Sequence, residues 1–168
     1  TIRRSSCIRL ISLISTLVCV ACSPFAREVS VNSATTAYGY RGLHETRDNT
    51  ILNELLNVDP AQTEWCAAFV NSILEEQGIP SLNTQSHPYP LSARSFLRWG
   101  EKVSREDIQQ GDVVVFPRGP KPWLGHVGFY YGKVEDGRWI IIGGNQANMV
   151  RFDLYNPSSA VGIRRWNQ

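Results

Sequence analysis

Apolar residues recur at helical spacing in the first half of the chain, and the second half turns to short runs with the period of strands. Ile51, Leu52, Leu55 and Leu56 follow a capping-type Asn49 and stop at Asp59-Pro60, which predicts a short helix. Cys66, Phe69, Val70, Ile73 and Leu74 follow Thr63 in the i, i+3, i+4, i+7, i+8 pattern and end before Gly78 and Pro80. This predicts a longer helix whose buried stripe carries Cys66 in its first turn. A loop rich in Pro, Ser and Asn (80–91) leads to a third expected helix, opened by Ser92, carrying Phe96, Leu97 and Trp99 and closed by Gly100. Strands are then expected at 113–116, 126–134 and 138–142, with weaker ones near 148–152 and 161–165. Helices first and strands second predict an α+β fold, with N-terminal helices packed on a C-terminal antiparallel sheet.

The first 22 residues fit none of these elements. Arg3, Arg4 and Arg9 form a basic start, and Leu10 to Ala21 is an apolar run of the length of a signal-peptide core, shorter than a membrane span. The segment is expected to be an export leader. Its end, Val20-Ala21-Cys22-Ser23, resembles the cleavage and lipid-attachment box of bacterial lipoproteins, which implies lipidation of Cys22 and an anchor in a membrane facing the periplasm or cell wall. Ordinary cleavage near Ala26 is the alternative. Residues 23–37 are small and polar without a sustained period, and are expected to be a flexible tether to a domain spanning 38–168.

Charge narrows the function classes once the leader is set aside. The whole chain has 17 basic and 15 acidic residues; removing the leader takes three arginines and no acid, leaving 14 against 15. A nearly neutral domain without a clustered basic face excludes nucleic acid as the expected partner. The remaining 146 residues suffice for one domain with a proper core. No internal repeat and no phosphate-cradling glycine loop is visible.

Beyond the leader Cys66 is the only cysteine. A lone thiol in an exported protein is inert filler, an intermolecular cross-link or a reactive group. The helix start favours thiolate over thiol through unpaired N-H groups and the helix dipole, whereas burial favours the filler role. Of the three histidines, His44 lies in a polar stretch and His87 in a loop expected to be exposed. His126 alone opens a strand, and glycine neighbours leave it room for a partner. A metal site is not expected, because no other histidine or cysteine sits at ligand spacing.

Strand register proposes a third residue. If Asp136-Gly137 is a two-residue hairpin loop, Val134 faces Trp139 and Asn145 faces Gly128. Asn145 and His126 then share a face as diagonal neighbours, while Gln146 points away. A bulge at Gly143-Gly144 would exchange the roles of Asn145 and Gln146.

The blocks Trp65-Cys66-Ala67-Ala68-Phe69-Val70, Gln110-Gly111-Asp112-Val113-Val114-Val115-Phe116, Gly125-His126-Val127-Gly128-Phe129-Tyr130 and Gly143-Gly144-Asn145-Gln146, in this order and spacing, resemble the papain-like cell-wall hydrolases of the NlpC and CHAP type. The resemblance implies a papain-like fold, peptidoglycan as substrate, and Cys66, His126 and Asn145 as a catalytic triad that hydrolyses an amide through a thioester, with no metal or cofactor. The backbone N-H of Cys66 would serve as oxyanion donor. Trp65 stands where an aspartate is common in the NlpC type, and Asn145 where histidine or glutamate is common. Trp65, Tyr89 and Trp123 are candidates for lining a substrate groove. A thioester-using acyltransferase or transpeptidase, and a catalytically silent cell-wall binding module, are the alternative classes.

Overall fold

The protein, as a computed structural model, is described over residues 32–167. The expected leader, its Cys22 and the first part of the expected tether lie outside the described residues. Three helices come first: α1 (Ser33–Gly39), α2 (Asn49–Leu56) and α3 (Cys66–Glu76). A 3-10 helix (Ala93–Arg98) stands where the third helix was expected. Six strands follow: β1 (Glu101–Lys102), β2 (Val113–Pro117), β3 (Gly125–Lys133), β4 (Trp139–Gln146), β5 (Met149–Tyr155) and β6 (Gly162–Arg165). They form one antiparallel sheet in the order β1-β6-β2-β3-β4-β5, so the expected α+β architecture is what forms.

Residues 33–37, read from sequence as tether, belong to the folded domain. Asn32 caps α1 by accepting from the Thr35 N-H at 3.1 Å, and Ala34 and Ala37 are fully buried. A seven-residue helix that buries only Ser33, Ala34 and Ala37 has no apolar period to read.

The stripe on α3 does what its spacing predicts: Phe69, Val70, Ile73 and Leu74 are buried, and the helix packs across β3 and β4. Each such side chain stabilises the fold by about 1.5 to 3 kcal/mol relative to exposure. Val113, Val115, Val127, Phe129 and Ile142 line the sheet face beneath the helices. Val114, Phe116, Tyr130, Trp139, Ile141 and Ile163 form a second cluster on the other face. Asp112, 2 % exposed on its side chain, ties the start of β2 to β6 through Arg165 Nε at 2.6 Å and Nη2 at 2.8 Å, the bidentate geometry that makes a buried pair favourable.

The β3-β4 hairpin departs from the expected register. Val134 N-H donates to the Arg138 carbonyl at 3.0 Å, so the loop is Glu135-Asp136-Gly137, with Gly137 at φ +85°, and Trp139 pairs with Lys133 instead of Val134. A bulge between Tyr130 and Gly132 shifts the register once more, pairing Phe129 with Ile142. Two one-residue shifts restore the original alternation of faces.

Candidate active site

The N-terminus of α3 sets Cys66 against the sheet. The thiol is buried at 3 % exposure, and it accepts backbone hydrogen bonds from Val127 and Ala67. Val127 follows His126 in the chain, so thiol and imidazole flank the same peptide at the start of β3. Burial pushes the thiol pKa up and outweighs the opposing bonds from Val127 and Ala67 and the charge of Arg118, while Glu64 pushes it further up. Of the two opposing influences read from the sequence, helix start and burial, burial therefore dominates, and Cys66 does not rest as a thiolate.

His126, 5 % exposed, pairs with Phe116 of β2 and shares its face. Its Nε2 lies 3.0 Å from Gln146 Oε1. Gln146 Nε2 donates to the carbonyl of Arg151 at 2.6 Å and more weakly to that of Ile141 at 3.4 Å, which turns Oε1 toward the imidazole. An acceptor there places the neutral ring's proton on Nε2 and leaves Nδ1 as the basic nitrogen. The His126 pKa falls to about 4, mainly through burial and partly through the positive charge of Arg118, with the Gln146 bond opposing. Thiol and imidazole are thus both neutral near neutral pH.

Asn145 is not the residue that meets His126. The pairing of β4 with β5 shifts between Gly143 and Gln146, and Asn145 adopts a left-handed backbone at φ +55°. This third irregularity is not cancelled, so Gln146 takes the position beside the ring. Asn145 Nδ2 instead donates to Glu64 Oε2 at 2.7 Å, and Arg118 Nη1 pairs with the same oxygen at 3.0 Å. Glu64 precedes Cys66 by two residues, so Asn145 is tied to the segment that carries the thiol, on which the charges of Glu64 and Arg118 act. Cavities of about 220 and 300 Å³ share Arg118 and Asn145 in their walls. The first also contains His126, Gln146 and Tyr155.

Tyr155 was not anticipated. Its ring lies parallel to His126, with centroids 5.8 Å apart and an interplanar angle of 5°, and stacks on Phe116 at 4.2 Å. Its hydroxyl donates to Gln146 Oε1 at 3.0 Å. Burial, with help from Asp153, pushes its pKa up to about 12, which keeps the proton on the donor. The hairpin turn Ala147-Asn148, both residues at positive φ, pairs Gln146 with Met149, and the register shift between Gly143 and Gln146 then sets Tyr155 opposite Trp139, so counting from the turn alone would have misplaced Tyr155 by one residue. Arg118 and Glu64 left no sequence signal, since only the fold joins them.

Trp65 is fully buried, edge-on to Phe69, and donates through Nε1 to Glu45 at 3.1 Å, so it is a core residue and not part of a groove. Tyr89 and Trp123 are exposed.

The profile of the CHAP domain family matches residues 58–145, a segment containing Cys66 and His126. A solved NlpC/P60 family protein from Bacillus cereus ATCC 10987 is 24 % identical, with a TM-score of 0.44, covering 60 % of this chain and 31 % of its own. This chain therefore spans less than a third of that protein. No curated protein matches the chain.

Proposed function

Because the chain belongs to the CHAP domain family, a family of peptidoglycan hydrolases, we propose that it is a cysteine hydrolase cleaving an amide bond in peptidoglycan, either within the stem peptide or between stem and sugar. The observation that carries this reading is the fixed His126 tautomer. Gln146 engages Nε2, leaving Nδ1 to act as base for a thiol bonded to the next residue's backbone.

In the proposed reaction, Cys66 Sγ attacks the substrate carbonyl carbon as its proton passes to His126 Nδ1. The oxyanion that forms is held by the free N-H at the start of α3. His126 returns the proton to the leaving nitrogen, the C-N bond breaks, and a thioester remains on Cys66. Water then attacks the thioester, giving its proton to His126; the carboxylic acid leaves and the thiol is restored. Gln146 orients the ring and stabilises the imidazolium. None of these steps calls on a metal or cofactor. We further propose export and lipidation at Cys22, which would hold the domain at the wall; incorporation of labelled palmitate, lost in Cys22→Ala, tests that part.

Mass analysis of purified muropeptides incubated with the protein tests the enzymatic reading and identifies the bond. Fragments that together gain one water, absent with Cys66→Ser, support hydrolysis. Capture of the acyl group by an added amine in preference to water would identify an acyltransferase, and no turnover by the intact protein would identify a binding module.

A further inference from the structure

One concavity has no part in the chemistry above. Between the loop after α3, the 3-10 helix and the β2-β3 loop lies a groove of about 600 Å³, whose walls include His87, Tyr89, Arg94, Leu97, Arg98 and Trp123. Its two aromatic residues stand out in solvent, Tyr89 at 71 % and Trp123 at 64 % exposure. Large exposed aromatic rings grouped in a concave site mark a binding surface more than a packing defect. Every charged residue in the walls is basic, and Lys121 covers the Trp123 ring at 5.5 Å from its centroid. The groove is joined to the catalytic strand. Arg94 Nε donates to the Leu124 carbonyl at 3.0 Å, and a Cβ added at Gly125, which precedes His126, would lie 3.3 Å from Arg94 Cδ and Nε.

We propose that this groove holds the sugar-peptide portion of the wall polymer beside the scissile amide. The faces of Trp123 and Tyr89 stack on the C-H face of a sugar ring, and Arg94 and Arg98 pair with a carboxylate of the attached peptide. The negative face of an aromatic ring attracts polarised C-H groups, and guanidinium forks match carboxylates. Charge complementarity selects an anionic occupant, and a concave wall in which the aromatic faces sit beside guanidinium groups fits a sugar-peptide better than a flat membrane surface. The substrate class assigned here rests on the catalytic reading above, but its test does not need turnover.

In the Cys66→Ala protein, titration calorimetry should show a disaccharide-tetrapeptide binding at least tenfold more tightly than the same tetrapeptide without sugar. Trp123→Ala, an exposed position whose loss leaves the core intact, should abolish that advantage. Arg98→Ala should weaken the disaccharide-tetrapeptide severalfold while leaving neutral chitotetraose unaffected. Equal affinity for the peptide with and without sugar would overturn the proposal, as would an undiminished sugar advantage in Trp123→Ala. Binding to phosphatidylglycerol vesicles that Trp123→Ala removes, without any sugar advantage, would assign the patch to a membrane instead. If the active protein cleaves no muropeptide, the catalytic reading fails while this comparison still decides the groove.

Discussion

Gln146 Oε1 accepts from two donors at the same distance, His126 Nε2 at 3.0 Å and the Tyr155 hydroxyl at 3.0 Å, and its own amide is fixed by the Arg151 carbonyl. An orienting group held from three sides controls both the tautomer and the angle of the imidazole. Gln146→Ala should therefore lower kcat roughly ten- to a thousandfold, the order expected for an orienting hydrogen bond at a reacting centre. Asn145→Ala, which loses only the Glu64 contact, should affect KM more than kcat. Steady-state kinetics on a defined muropeptide separates the two; a larger kcat loss in Asn145→Ala would return the orienting role to that residue.

Tyr155 acts on His126 through Gln146 and by stacking. Tyr155→Phe keeps the ring and removes the hydroxyl, so kcat should fall about three- to tenfold with KM nearly unchanged. Tyr155→Ala also removes the stacking on His126 and Phe116 and should cost more in both kcat and stability. Equal activity of wild type and Tyr155→Phe would show that the hydroxyl has no part in holding the ring.

Because burial lowers the His126 pKa to about 4, the imidazole remains a competent base well below its ordinary 6.5. The acid limb of kcat/KM, which reports the free protein, should lie near pH 4. The same shift acts on folding. Between pH 6.5 and about 4 the unfolded chain binds a proton at this residue that the native state does not. Its contribution is thus fully present above 6.5 and is lost as pH falls toward 4, by up to about 1.4 kcal/mol per pH unit. Thermal melts of wild type and His126→Leu across this range should show a shallower pH dependence in the variant. Parallel slopes would mean that His126 takes up its proton as readily in the folded state.

Gly144 is a packing requirement. A Cβ at this position would lie 2.5 Å from Trp65 Cζ3 and 2.7 Å from Phe69 Cβ, atoms of buried residues in the first turn of α3 and just before it. Gly144→Ala should destabilise the fold by about 1 to 3 kcal/mol, seen as a Tm lowered by several degrees. An unchanged Tm would show that α3 can move away from β4 without cost.

The order and type of the elements were legible because apolar periodicity is set by which face each element buries: the α3 stripe and the alternating valines of β2 both pack as their spacing predicts. Cys66 and His126 were legible by elimination and by their place at the start of a helix and a strand. The third residue was not. Its prediction depended on counting register through a hairpin, and three local irregularities intervened: a three-residue loop, a bulge at Tyr131 and the left-handed Asn145. The first two cancel in their effect on faces, and the third decides between Asn145 and Gln146. The Gly143-Gly144 pair marked where this could occur without saying that it did. Glu64, Arg118 and Tyr155 reach the site through pairings between distant segments, which no local pattern records.

The central claim is that an acyl group passes through Cys66, and direct detection of the thioester tests it most closely. Protein mixed with excess muropeptide and quenched in acid within the first turnover should show, by intact mass, an adduct equal to the acyl fragment of the substrate, localised by digestion to the peptide containing Cys66. Cys66→Ala should show neither adduct nor product. Product formation with no adduct at Cys66 and undiminished turnover in Cys66→Ala would contradict the account.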